Sequence, residues 1–124
     1  MIHGYVIIFL LLSSIFAFVH YIAVAASLYW YYWWFDIVMH FWGGILLGLG
    51  VHTFSTFKHF HFRPRLSLLL IVITVATGSW EIFEWSAGLW DAETYIFDTA
   101  KDITMGFSGG LLAHLVLTRY TIKR

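Results

Sequence analysis

Long apolar runs, each about twenty residues and separated by short polar breaks, leave this chain lipid as its main solvent. Hydrophobic residues make up 60% of the 124 and charged residues 11%. That leaves too few polar positions to coat a water-facing surface, and it rules out disorder. In lipid each backbone polar group must be satisfied inside its own segment, so the runs are expected to be helices. We therefore expect an all-α polytopic membrane protein, a bundle of four transmembrane helices in one integral membrane domain covering residues 1–124. The spans read as about 5–29, 36–57, 66–88 and 99–120. The formal net charge is zero, so there is no basic footprint for nucleic acid. With no cysteine, disulfides, thiolate metal sites and cysteine nucleophiles are excluded.

The first span is about 25 residues, or about 37 Å of helix, enough to cross with some tilt. Ala23-Val24-Ala25 has the form of a signal-peptide cleavage site. The run lacks a basic n-region and exceeds the usual length of about 7–15 apolar residues, so we read a retained span. His20 inside it reads as a neutral histidine bonded to a neighbouring helix. The string Trp30-Tyr31-Tyr32-Trp33-Trp34-Phe35 reads as an interfacial aromatic belt. The second span carries Gly44-x-x-x-Gly48 and the fourth Gly106-x-x-x-Gly110, the spacing of close helix contacts and of a candidate homo-oligomer face. Between spans two and three, residues 58–65 hold three cations, His59, His61 and the only proline. The two histidines there read as solvated or near anionic headgroups.

Six of the seven cations (Lys58, Arg63, Arg65, Arg119, Lys123 and Arg124) fall on one side of a four-span arrangement. The positive-inside rule makes that side cytoplasmic, with both termini inside and a plasma (inner) membrane location. Every acid then lies toward the outer side. Asp36 heads span two, and His40 follows about 6 Å below it. Glu81 and Glu84 lie near the outer end of span three, and Asp98 and Asp102 enter span four from the same surface. Each pair, spaced i, i+3 or i, i+4, shares a helical face.

An ionised side chain at the centre of a spanning helix costs about 2.5–3.5 kcal/mol, so such residues mark functional sites by default. Helix capping accounts for Asp91, Glu93 and Asp98, which lie in or near the loop, and poorly for Glu81. Like charges this close cannot all ionise without a counter-charge, and Lys101 supplies only one. Either some carboxyls hold protons or a divalent cation sits among Asp36, His40, Glu81, Glu84, Asp98 and Asp102. Carboxylate and imidazole without sulfur suit Mg²⁺, Mn²⁺, Zn²⁺ or Fe²⁺.

The segments Asp36-x-x-x-His40-Phe41, Glu81-x-x-Glu84-Trp85 and Asp98-Thr99-x-x-Asp102, in that order and followed by small residues, resemble the YjdF-type bacterial inner-membrane proteins. More distantly they are similar to the VanZ-like family associated with teicoplanin resistance. The likeness covers spans two to four. The chain departs from the YjdF-type pattern at Ile37, where a basic residue is common, and at Ala100, where Gln is frequent. The VanZ-like pattern has an amide near Glu84 or Asp102, where this chain has acids. The resemblance implies a polytopic protein with intramembrane acids and carries no particular reaction.

Three functions fit these residues. The first is metal-assisted hydrolysis or transfer on a lipid-linked substrate at the outer leaflet, with Glu81 or Glu84 as general base. The second is a non-enzymatic accessory or lipid-binding protein whose acids share protons. The third is a cation- or proton-binding transporter component, which four spans would build only as an oligomer. The orientation is directly testable. A reporter fused after Arg124 is expected in the cytoplasm and one inserted beside Ala92 outside; a cytoplasmic Ala92 reporter would overturn the outward-facing arrangement.

Overall fold

The computed structural model describes residues 2–89 and 91–122. Lys123 and Arg124, two of the cations used for orientation, lie outside the described residues. The chain forms α1 (Ile2–Ala25), α2 (Leu28–Tyr31), α3 (Trp33–Ser55), α4 (Leu66–Ser86) and α5 (Tyr95–Ile122), with no strand among the described residues. Residues Gly4–Ala25, Trp33–Ser55 and Leu66–Ser86 are long and apolar enough to cross a membrane. At 28 residues α5 is the longest helix, but its first turns carry Asp98, Lys101 and Asp102 and its last turn Arg119.

Two breaks set the helix ends. Ser27 takes a left-handed backbone (φ 56°), which interrupts the first apolar run and sets off the short α2. The aromatic string therefore splits between α2 and the start of α3, with Trp30, Tyr31 and Trp33 largely exposed, as interfacial anchors require. Helix α4 stops at Gly88, whose φ of +72° suits a residue without Cβ. The Leu89 N–H donates to the Glu84 carbonyl (2.9 Å) and the Gly88 N–H to that of Trp85 (3.3 Å), closing the helix as a Schellman motif. The chain then turns through Asp91, whose Oδ1 accepts the Glu93 N–H at 2.9 Å, and enters α5.

Helices α3 and α5 make the central contact, with α4 against both and α1 against α3. Few side chains are enclosed: Leu69 and Ile73 of α4 are fully buried, beside Val51, Leu47 and Phe107. Most large apolar side chains of α1, including Ile7, Leu10, Leu11 and Phe18, face outward. In lipid that exposure carries no penalty, so helix association rests on close packing rather than apolar burial. On α1, Phe16 meets Trp42 edge-on and Phe9 lies against Gly50 and Phe54. His20 Nδ1 lies 2.7 Å from the Tyr29 hydroxyl of α2, the bond to a neighbouring helix expected for it.

Close packing between α3 and α5 is made by glycine. A Cβ on Gly44 would run into the Gly106 carbonyl, and one on Gly109 into that of Phe41. A Cβ on Gly48 would stand 2.8 Å from the Ala113 Cβ and 2.9 Å from the Gly110 carbonyl oxygen. These are backbone obstacles that no rotamer change relieves. Both glycine motifs are thus occupied within one chain, which removes them as the homo-oligomer face expected from sequence.

Gly44→Ala and Gly109→Ala should each separate α3 from α5 and lower the thermal midpoint in detergent, at about 1–3 kcal/mol each. Gly78 has open space where its Cβ would stand, so Gly78→Ala should be neutral or slightly stabilising. Equal behaviour of all three variants would contradict the glycine contact.

Candidate functional site

The stripes that carry the glycines also carry the ionisable groups. On α3 they read Asp36, His40, Gly44, Gly48, His52, and on α5 Asp98, Asp102, Gly106, Gly110, His114, each step four residues. Residues four apart share one face, so close approach at the glycines brings the flanking polar residues together at both ends. At one end His40 meets Asp102. At the other His52 Nε2 lies 3.1 Å from His114 Nδ1.

His40 Nε2 stands between two carboxylates, 3.2 Å from Asp36 Oδ1 and 3.3 Å from Asp102 Oδ2. One imidazole nitrogen carries at most one proton, so it serves both acids only by sharing. Asp102 is only 4% exposed, and its Oδ1 has no hydrogen-bond donor. The nearest cation, Lys101 Nζ, lies 3.5 Å from Asp98 Oδ1, 3.9 Å from Asp36 Oδ2 and 4.0 Å from Asp102 Oδ1. The short separation to Asp98 makes that pair the working one, and the two longer ones are weak.

Helix α4 adds the remaining acids. Glu81, 8% exposed, accepts a hydrogen bond from the Thr99 hydroxyl of α5 at 3.0 Å. Glu84, one turn on and half-buried, accepts the Trp80 indole N–H at 2.9 Å. Asp102 belongs to two groupings of potential ligands, one with Asp36 and His40 and one with Glu81 and Glu84. Within each grouping the ligand atoms all lie within 4.8 Å of one another.

Five of the six residues singled out in the sequence thus converge: Asp36, His40, Glu81, Glu84 and Asp102. Asp98 stands at the rim, its side chain 49% exposed and held by Lys101. Asp91 and Glu93 stay in the exposed turn. Thr99 and Trp80 escaped the sequence reading as partners because a hydroxyl or indole carries no positional signature of its own. His52, paired with His114, was also missed. Its signal was there, since both histidines follow a glycine of the packing motif by four residues.

Chemically, carboxylates and one imidazole with few donors can share protons or surround a cation of the hard to borderline class. Neither the curated proteins nor the solved structures include a match to this chain. A family model described as "Predicted membrane protein (DUF2238)" matches residues 4–123, nearly the whole chain. Apolar helices of membrane-crossing length agree with that description, and the chain belongs to the DUF2238 family of predicted membrane proteins.

Proposed function

We infer that the protein is a four-span enzyme of the bacterial inner membrane, with both termini in the cytoplasm and a divalent-cation site near the outer leaflet. In this reading α5 crosses as the fourth span, its polar first turns shielded by α3 and α4 rather than facing lipid. The kinship with YjdF-type and VanZ-like proteins belongs to the same reading. Its carrying observation is Asp102, a buried carboxylate whose Oδ1 has no donor, shared between ligands from two other helices. A divalent cation held by these residues would supply polarisation of an acyl or phosphoryl oxygen.

The protein groups divide by exposure. Glu81 is buried and committed to Thr99, so it serves as a ligand. Glu84 is half-buried and lies beside the exposed Trp80, so of the two α4 acids it is the one open to an incoming substrate or water. Besides its place among the ligands, we assign it the role of general base, through the carboxylate oxygen that is not on the cation, in hydrolysis or transfer on a lipid-linked substrate. The exposed Ile82, Phe83 and Trp85 on the same helix end give an apolar flank for the lipid chain. No arginine lies between Leu66 and Thr118, so the cation and Lys101 carry the charge of an anionic substrate.

A second reading is favoured by the position of His40 Nε2 between two carboxylates, which suits a proton-sharing network in an accessory, lipid-binding protein or a proton-coupled transporter component. Elemental analysis of protein purified without chelator separates the two. The enzyme reading predicts bound Mg²⁺, Mn²⁺, Zn²⁺ or Fe²⁺ and loss of thermal stability in EDTA. It also predicts weaker binding in Glu84→Gln and unchanged binding in the loop variant Glu93→Gln. Metal-free protein that no divalent ion stabilises would favour the proton-sharing network.

A further inference from the structure

We propose that the site binds a pair of divalent cations bridged by Asp102, and this rests on the cation reading above. The ligand groups fall into two sets that meet at one residue. Asp36 and His40 from α3 form one, Glu81 and Glu84 from α4 the other, and Asp102 from α5 belongs to both. Two ligands on opposite sides of one ion with bonds of about 2.0–2.1 Å stand about 4.2 Å apart. Ligand atoms within 4.8 Å of one another therefore need only a slight closing around each ion. A carboxylate has two oxygens, and Asp102 directs Oδ2 toward His40 while Oδ1 has no hydrogen-bond donor. With Oδ2 given to the α3 ion, Oδ1 would be left for the α4 ion, as in a carboxylate that bridges a pair about 3.5–4 Å apart.

The two positions differ in kind. The α3 position has an imidazole and suits Zn²⁺, Fe²⁺ or Mn²⁺, whereas the α4 position has oxygen ligands alone and suits Mn²⁺ or Mg²⁺. Helical bundles build paired carboxylate sites from ligands one turn apart on facing helices, which is the spacing of both pairs here.

Mn²⁺ fits both positions and reports on its neighbours by electron paramagnetic resonance. Chelator-stripped protein in detergent, dialysed against Mn²⁺, should hold about two ions per chain with an exchange-coupled spectrum. His40→Gln and Glu84→Gln, altering opposite positions, should each retain about one ion and show an uncoupled spectrum. Elution volume and thermal midpoint identify folded variants, and Glu84, being half-buried, gives the milder substitution. One uncoupled Mn²⁺ in the wild-type protein would overturn the pair while leaving a cation site in place. No bound Mn²⁺ would overturn both the pair and the reading beneath it.

Discussion

The backbone contact between α3 and α5 is the interaction on which the remaining structure depends. Inside a bilayer the hydrophobic effect does not hold helix to helix, because lipid tails are as apolar as the side chains they would replace. Contact at short range must supply the attraction, and only glycine on both partners allows it here. Gly44 against Gly106 and Gly109 against Phe41 leave no room for even a methyl group. Since each stripe advances four residues at a time, this closeness fixes what lies above and below it. His40 is brought to Asp102 on one side of the glycines, and His52 to His114 on the other.

The same closeness creates an electrostatic difficulty. Asp102 is buried by the helix contact and lies among the acids of two neighbouring helices. Thr99, Trp80 and His40 meet part of their hydrogen-bonding capacity, and Lys101 sits mainly with Asp98. Helix packing by small residues could have been achieved with apolar neighbours throughout. A cluster of acids inside a membrane is costly, and its interhelical hydrogen bonds offset only part of that cost. The proposed chemistry, through shared protons or bound cations, would give a physical reason for keeping them.

Much of this was legible in the sequence because lipid imposes simple periodicities. The apolar runs locate the long helices, and i, i+3 and i, i+4 spacing puts Glu81 with Glu84 and Asp36 with His40 on shared faces. Boundaries were less legible. The first run divides at Ser27, since a left-handed serine has no compositional mark, and α3 starts at Trp33 within the aromatic string rather than at Asp36. The partnership of the two glycine motifs was open as well, because their spacing suits a second copy of the chain as well as a neighbouring helix. That ambiguity also concealed the His52–His114 pair, which follows only once α3 and α5 are known to face each other. Asp98 shares a face with Asp102, yet one turn toward the surface is enough to leave it exposed and paired with Lys101.

The central claim is that ionisable groups from three helices form one energetic unit around Asp102. Double-mutant cycles of unfolding in mixed detergent test it most directly, pairing Asp102→Asn with His40→Gln across α5 and α3, and with Glu81→Gln across α5 and α4. Residues in one network show interaction energies of about 0.5–3 kcal/mol, and the account predicts values in that range for both cycles. Additivity within about 0.3–0.5 kcal/mol in both cycles would mean that the groups act separately, and would contradict the single site.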